Sequence, residues 1–184
     1  MNKFLFPTLA LLLVSVLHVV AQIEKPATKK QLAVKWLTHA DENFSIEYPA
    51  NWEINTTGQS GTKFFMLSEL TAPDDVFREN INMLVQDLSE HDIDLAEFVK
   101  ISEGQISEFL EDTKIHVSET KDGKHYTYHR IIYSGVQEGN RIKIEQIYII
   151  IDEQAYILTF TCTASEFAQF KQTGERILES FRIR

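Results

Sequence analysis

Cysteine is almost missing from this sequence, which removes one common means of stabilising an exported domain. Cys162 is the single cysteine among 184 residues, so no disulfide can form within the chain. It alternates with polar residues in the run YILTFTCTA, a pattern that predicts a small apolar side chain facing the core. A nucleophilic thiol needs exposure and a neighbouring base, and this context indicates neither.

Motifs that carry common enzyme chemistry are absent as well. The G-x-S-x-G elbow of serine hydrolases does not occur, because GQSG at 58–61 has the wrong spacing. The Walker loop and the G-x-G-x-x-G motif are missing too. We therefore expect a protein that is not an enzyme and needs no cofactor.

Positive charge is also scarce. The chain has 18 basic against 27 acidic residues and a formal net charge of −9. Nucleic-acid binding depends on clustered lysine and arginine that neutralise phosphates. The acidic composition therefore argues against a nucleic-acid partner.

The N-terminal 21 residues have the pattern of a secretory signal peptide. Lys3 precedes a long apolar run that ends in small residues, with Val19 and Ala21 before a cleavage point. An uncleaved anchor is the alternative, but the run contains Pro7 and is short for a membrane span of about 20 residues. We expect cleavage near Ala21, a periplasmic or secreted protein that starts at Gln22, and no membrane span after cleavage.

Residues 22–31 read as a flexible N-terminal segment, and residues 32–184 as a single domain. The run NFSIEYP (43–49) alternates like a strand, with Phe44 on its inner face. Pro49 has no amide hydrogen and ends the ladder without requiring a helix. The chain then turns and restarts at Trp52, so we expect a corner that brings two strands to one core.

The remaining runs predict strands interrupted by one helix and closed by another. Residues 94–112 change to helical spacing, with Asp94 and Glu97 placed as an N-terminal capping box. Thr163 and Glu166 have the same spacing before the last amphipathic helix. Short links between the last three strand-like runs indicate antiparallel hairpins. The expected fold class is α+β, a central antiparallel β-sheet flanked by α-helices.

Two stretches together resemble the PsbP-like and DcrB-like proteins. FSIEYPANWEI (44–54) is similar to the start of that domain, an aromatic strand ending in Tyr-Pro that returns through Asn-Trp. AYILTFTCTASEFAQFKQTGERILESFRI (155–183) resembles its ending, in which a strand leads to an amphipathic helix and a final Ser-Phe-Arg. The resemblance implies an α/β/α sandwich and a non-catalytic accessory or assembly role. It transfers no photosynthetic partner, metal site or docking residue to this chain.

Two groups of residues are weak metal-ligand candidates. In HYTYH, His125 and His129 share a predicted strand face, but four residues of strand separate them by roughly 13 Å, too far for one ion. We expect both to be half-exposed sheet histidines. In SEHDID, His91 and Asp92 precede the first helix, where acidic residues also favour the helix N-terminus. A calcium or manganese site there would need distant partners such as Asp74, Asp75 and Glu79.

Two functional hypotheses follow from these patterns. The first is an exported binding or accessory module without catalysis, which recognises a protein or an envelope component. The second is a metal-dependent protein or enzyme whose site is assembled from the dispersed residues His91, Asp92, His125 and His129. The missing motifs favour the first.

Overall fold

A computed structural model describes residues 34–73 and 75–184. The predicted signal peptide (1–21) and flexible segment (22–31) lie outside these residues. The strands are β1 (Trp36–Ala40), β2 (Phe44–Pro49), β3 (Glu53–Asn55), β4 (Phe64–Leu67), β5 (Asn80–Asp87), β6 (Glu111–Asp122), β7 (Thr127–Gln137), β8 (Asn140–Ile151), β9 (Gln154–Thr163) and β10 (Arg182–Ile183). The helices are α1 (Leu95–Phe109) and α2 (Phe167–Glu179), with a 3-10 turn at Gln59–Gly61.

Seven strands form one antiparallel sheet in the order β3-β4-β5-β9-β8-β7-β6. Two-residue turns at 138–139 and 152–153 connect β7 to β8 and β8 to β9, as the sequence predicts. All four turn residues have positive φ, including Gly139 at 81°. This geometry matches the twist of hairpin strands, so these turns fix the register of the central strands.

Alternating side chains divide the large sheet into two faces. On the α2 face, Ile81, Met83 and Phe160 join helix α2 in one core cluster. On the α1 face, Ile144 and Tyr148 join helix α1 in a second cluster. This period of two places a helix against each side of the sheet, so the expected α+β sandwich is confirmed.

A small second sheet, β1-β2-β10, packs on the α2 face. Its middle strand β2 buries Phe44 and Ile46 in the α2-face core. After Pro49, the amide of Trp52 donates to the Pro49 carbonyl at 2.9 Å, and the chain enters the large sheet as β3. The corner therefore links two sheets over one core, to which Trp52 contributes its ring.

The two predicted capping boxes have different outcomes. At α1, the Asp94 carboxylate accepts a hydrogen bond from the Glu97 amide at 2.8 Å, as the spacing predicts. At α2, the prediction is wrong, because β9 continues through Thr163 and the helix begins only at Phe167. Glu166 occupies the N-cap position, but its side chain makes no capping hydrogen bond. Its carboxylate instead accepts a hydrogen bond from the Thr71 hydroxyl at 2.8 Å.

Among the described residues, no helix is long and apolar enough to cross a membrane.

Candidate functional site

The four metal candidates lie on separate parts of the structure. His91 and Asp92 are exposed in the loop between β5 and α1. His125 is exposed in the loop before β7, so its predicted place on a strand face with His129 is wrong. Three strand spacings of about 4.8 Å separate β5 from β7 in the sheet. Within residues 34–73 and 75–184, no three His, Cys, Asp or Glu side chains are grouped to hold a metal ion, and the metal hypothesis stays a prediction.

His129 is buried at 5% exposure, rather than half-exposed as expected. Its ring lies parallel to that of Tyr148, with centroids 6.3 Å apart. Two β6 hydroxyls hold the ring, Thr120 Oγ1 at 2.9 Å from Nδ1 and Ser118 Oγ at 3.2 Å from Nε2. Burial lowers the pKa of His129, which favours the neutral ring at neutral pH.

The hydrogen bonds around His129 indicate which of its two ring nitrogens carries the proton. The Ser118 hydroxyl donates to the Glu103 carboxylate on α1 at 2.6 Å, so its oxygen is free to accept from Nε2–H. Thr120 then donates to Nδ1. A serine beside a histidine resembles a nucleophile and its base, but here the serine proton points to a carboxylate. The arrangement joins α1 to the edge strand and does not activate Ser118.

An ion cluster in which only Glu145 is fully buried joins the sheet to α2. The Arg130 guanidinium donates to Glu145 at 2.7 Å and to Glu175 at 2.9 Å, and it lies 3.5 Å from Glu119. Burial raises the pKa of Glu145, although the hydrogen bond from Arg130 opposes that rise. The sequence analysis missed this cluster. In the sequence, the cluster is indicated only by Glu145, an acid inside the apolar run IKIEQIYIII. Only the strand register shows that Arg130 lies on the same face.

A second buried carboxyl group lies where β5 begins. Glu79 is fully buried, and its two oxygens accept hydrogen bonds from Cys162 Sγ at 3.5 Å and Ser68 Oγ at 3.3 Å. Burial raises the pKa of Glu79 to about 7, and the Glu166 carboxylate adds to the shift. Burial also raises the pKa of the Cys162 thiol. The predicted core position of Cys162 is confirmed, and its thiol is held in the protonated, unreactive form.

The β4–β5 loop, residues 68–79, carries two of the four large apolar side chains that are exposed among the described residues, the others being Val34 before β1 and Ile115 on β6. Leu70 is 51% exposed and Val76 is 70% exposed. Large apolar side chains cost free energy in water, so this loop is the candidate contact surface that the proposal below uses. Ile115 on β6, at 41% exposure, lies on the opposite edge of the sheet.

Hydrogen bonds hold this loop in place. The Ser68 amide donates to the Glu79 carbonyl at 2.8 Å and closes the base of the loop. The Thr71 hydroxyl donates to Glu166 on α2 at 2.8 Å. Arg78 donates to the carbonyl groups of Leu67 and Ser68, and its guanidinium pairs with Glu53 at 2.7 Å. The apolar surface is therefore carried on a fixed support.

Asp75, one of the acids that a calcium or manganese site would need as a partner, makes its hydrogen bonds within this loop. One carboxylate oxygen accepts from the Thr71 amide at 2.8 Å and hydroxyl at 3.0 Å, and the other accepts from the Phe77 amide at 3.0 Å. Asp74 lies outside the described residues. The Asp75 oxygens are thus used to shape the loop.

Residues 9–183 match the family described as PsbP-like protein. The chain belongs to the PsbP-like family. The match spans nearly the whole sequence, and it confirms the resemblance carried by residues 44–54 and 155–183. No curated protein matches the sequence.

Solved structures share the PsbP-like fold at low sequence identity. CyanoP, the cyanobacterial PsbP of Synechocystis, has a TM-score of 0.61 at 12% identity, covering 86% of this chain and 98% of CyanoP. LpqN of Mycobacterium tuberculosis, described as involved in cell envelope biogenesis, has 0.60 at 13% identity, covering 83% and 92%. A Pseudomonas aeruginosa protein of unknown function, described as a putative regulator, has 0.59 at 16% identity, covering 81% and 97%. These likenesses show the fold alone.

Proposed function

We propose that this PsbP-like protein is an exported, non-catalytic accessory module that recognises a protein or another envelope component through the β4–β5 loop. The observation that carries the proposal is the exposed pair Leu70 and Val76 on an anchored loop. Hydrogen bonds at Ser68 and Thr71 tie described parts of the loop to the fold, which reduces the conformational freedom lost on binding. The description of LpqN as involved in cell envelope biogenesis supports a role in that compartment.

The buried reactive groups support a role without catalysis. His129, Cys162 and Glu145 each have polar partners within the fold, and all three are buried. Catalysis requires an acid, base or nucleophile within reach of a substrate. These groups instead join strands and helices, which agrees with an accessory protein.

Affinity capture from detergent-solubilised native envelope tests the proposal. The purified exported protein is immobilised, and retained proteins are identified by mass spectrometry. We expect a reproducible partner that is retained by the wild type and lost with the double variant Leu70→Ser, Val76→Ser. Ile115→Ser is the matched control, because it makes the same change on the far edge of the sheet, and it should retain the partner.

Repeating the affinity capture in the presence of a chelator distinguishes the two functional hypotheses. Retention that survives chelation and depends on Leu70 and Val76 supports recognition by the loop. Retention that is lost with chelator, and is insensitive to the loop changes, would support the metal-dependent alternative at His91, Asp92, His125 and His129.

Export is part of the same proposal. Signal-peptide cleavage after Ala21 gives a mature chain that begins at Gln22 and carries a formal charge of −10, because Lys3 is lost and no acid is lost. Intact-mass analysis of the protein from the producing cell should find this N-terminus in the periplasmic or secreted fraction. A chain that keeps residues 1–21 would contradict cleavage.

A further inference from the structure

Strand β6 forms a long free edge of the large sheet. It is the last strand in the sheet order, and among the described residues it pairs on one side only, with β7. Most of its side chains are exposed, whereas the edge strand at the other end, β3, has only three residues. The outward backbone N–H and C=O groups of such an edge are a template for an added strand. β6 is therefore the edge of this sheet where another strand has room to pair.

Irregular pairing restricts where an added strand could lie. The β6–β7 register shifts between Glu111 and Lys114, and again between Ile115 and Val117. Bulges of this kind bend a strand and are a common protection of sheet edges. From residue 117 to residue 122 the register is regular, with each residue opposite one residue of β7. The usable part of the edge is therefore residues 117–122.

Contacts within the fold show which way the side chains of this segment point. Thr120 Oγ1 lies 2.9 Å from the ring of His129, which stacks on the α1 face. Glu119 lies 3.5 Å from the Arg130 guanidinium, in the ion cluster that joins the sheet to α2. Lys121 Nζ lies 2.7 Å from Glu119, and the two side chains keep 42% and 40% exposure. The α2 face of the edge thus carries an accessible acid and an accessible base two residues apart.

A second copy of the chain is an occupant whose geometry at this edge follows from symmetry. Twofold symmetry is the commonest arrangement of homodimers, and two copies of one edge strand related in this way run antiparallel. Side chains directly opposite each other in an antiparallel pair point to the same face. Neighbouring residues of a strand point to opposite faces. The twofold axis must therefore pass between one residue and its own copy.

The charges of the edge select one such axis. Within residues 117–122, only an axis at Thr120 places opposite charges directly across, with Glu119 of each copy facing Lys121 of the other. An axis at Glu119, Lys121 or Asp122 places that residue opposite its own copy, and like charges there are destabilising. A lysine on a free edge usually opposes pairing, but in the Thr120 register a carboxylate faces it.

We propose that the protein forms a twofold homodimer in which residues 118–122 of β6 pair antiparallel with the same residues of a second copy, with Glu119 of each copy opposite Lys121 of the other. The pairing joins the two large sheets into one continuous sheet. The β4–β5 loop lies toward the other edge of each sheet and stays free. The dimer therefore stands or falls independently of the proposed recognition by that loop.

Sedimentation velocity of the purified exported protein over a dilution series tests the dimer. We expect a reversible equilibrium between monomer and dimer for the wild type. Lys121→Glu places carboxylates opposite each other on both sides of the axis, and it should raise the dissociation constant of the dimer by about tenfold or more. Lys63→Glu is the matched control, because it makes the same charge change at an exposed residue before β4, toward the other edge, and it should leave the dimer unchanged.

Mixing two variants tests the register. Glu119→Lys alone should also be monomeric, because lysines then face each other. Copies with Glu119→Lys and copies with Lys121→Glu carry complementary charges, so their equimolar mixture should form a heterodimer. Circular dichroism measures whether each variant keeps the fold. Because Glu119 also contacts Arg130, a Glu119→Lys protein that fails to fold leaves the decision to Lys121→Glu alone.

Three results would overturn the proposal. The first is a wild type that stays monomeric throughout the dilution series. The second is a Lys121→Glu protein that dimerises as the wild type does, or is weakened no more than Lys63→Glu. The third is a mixture of the two folded variants that forms no dimer.

Discussion

Glu79 shows how one buried carboxyl group links the base of the β4–β5 loop to the core. Its oxygens accept from Ser68 and Cys162, and its backbone carbonyl accepts from the Ser68 amide. Burial raises its pKa to about 7 from an ordinary 4.5, and the nearby carboxylate of Glu166 opposes ionisation further. The folded protein therefore favours the protonated form of Glu79.

This shift predicts a pH-dependent loss of stability. Between about pH 4.5 and 7 the folded state holds a proton on Glu79 that the unfolded chain has released, so raising the pH favours unfolding. The stability is fully present below pH 4.5 and is lost as the pH rises through 7, by up to about 3 kcal/mol. Glu79→Gln removes the titration but keeps the shape, and its free energy of unfolding should fall less across this window than that of the wild type.

Urea unfolding at pH 5, 6, 7 and 8 measures the difference between the two proteins. Glu90→Gln is the control, because it removes an exposed acid in the β5–α1 loop and should follow the wild type. Parallel pH profiles for wild type and Glu79→Gln would show that the Glu79 carboxyl group does not hold its proton in the folded protein.

At the scale of single residues, the sequence predicts burial correctly where neighbouring residues in the same strand decide it, and incorrectly where other strands decide it. The alternation around Cys162 predicts its burial, because side chains of a strand point to opposite faces. His129 was expected to be half-exposed, and the sequence does not show that Tyr148 of β8 stacks on its ring. The β6–β7 pairing, which brings Ser118 and Thr120 to His129, contains two irregularities that sequence spacing does not indicate.

At the scale of elements, the two helices differ in how closely they approach the sheet. Gly174 of α2 lies directly on Phe160, where an added Cβ would meet ring carbons at 2.6 Å. Gly104 of α1 has no atom within 4 Å of an added Cβ. The sequence shows both glycines within helical patterns, but the packing that distinguishes them follows from the fold.

Alanine substitutions at these glycines should have opposite effects. Gly104→Ala should stabilise the protein by about 0.5–1 kcal/mol, because alanine is the better helix former and finds open space. Gly174→Ala should destabilise it by about 1–3 kcal/mol, because the overpacked ring must move and the cost exceeds the helix gain. Chemical denaturation of the two variants measures both values, and a Gly174→Ala protein as stable as Gly104→Ala would contradict the close packing of α2.

The molecule as a whole follows the order of elements that the sequence indicates. The α+β class and the hairpins of β7, β8 and β9 are set by local turn and strand patterns. The division into two sheets is not, because Pro49 ends β2 without specifying that β3 joins another sheet. The two-residue strand β10, which pairs with β2, likewise depends on a contact between the last residues and the start of the domain.

In the whole molecule, the large sheet keeps the exposed apolar side chains of the β4–β5 loop apart from Ile115. The β4–β5 loop lies toward one edge, while Ile115 lies on β6 at the other. This separation provides an internal comparison, because the exposed side chains of the loop and the exposed Ile115 cannot contact the same small surface of a partner. Recognition by the loop should therefore depend on one side of the molecule.

The most direct measurement is photo-crosslinking in the living cell, with a photoreactive amino acid at Val76 or, in a matched protein, at Ile115. The account predicts a discrete crosslinked species in the envelope fraction from position 76 and its absence from position 115. No species from position 76, or the same species from both positions, would contradict recognition through the β4–β5 loop.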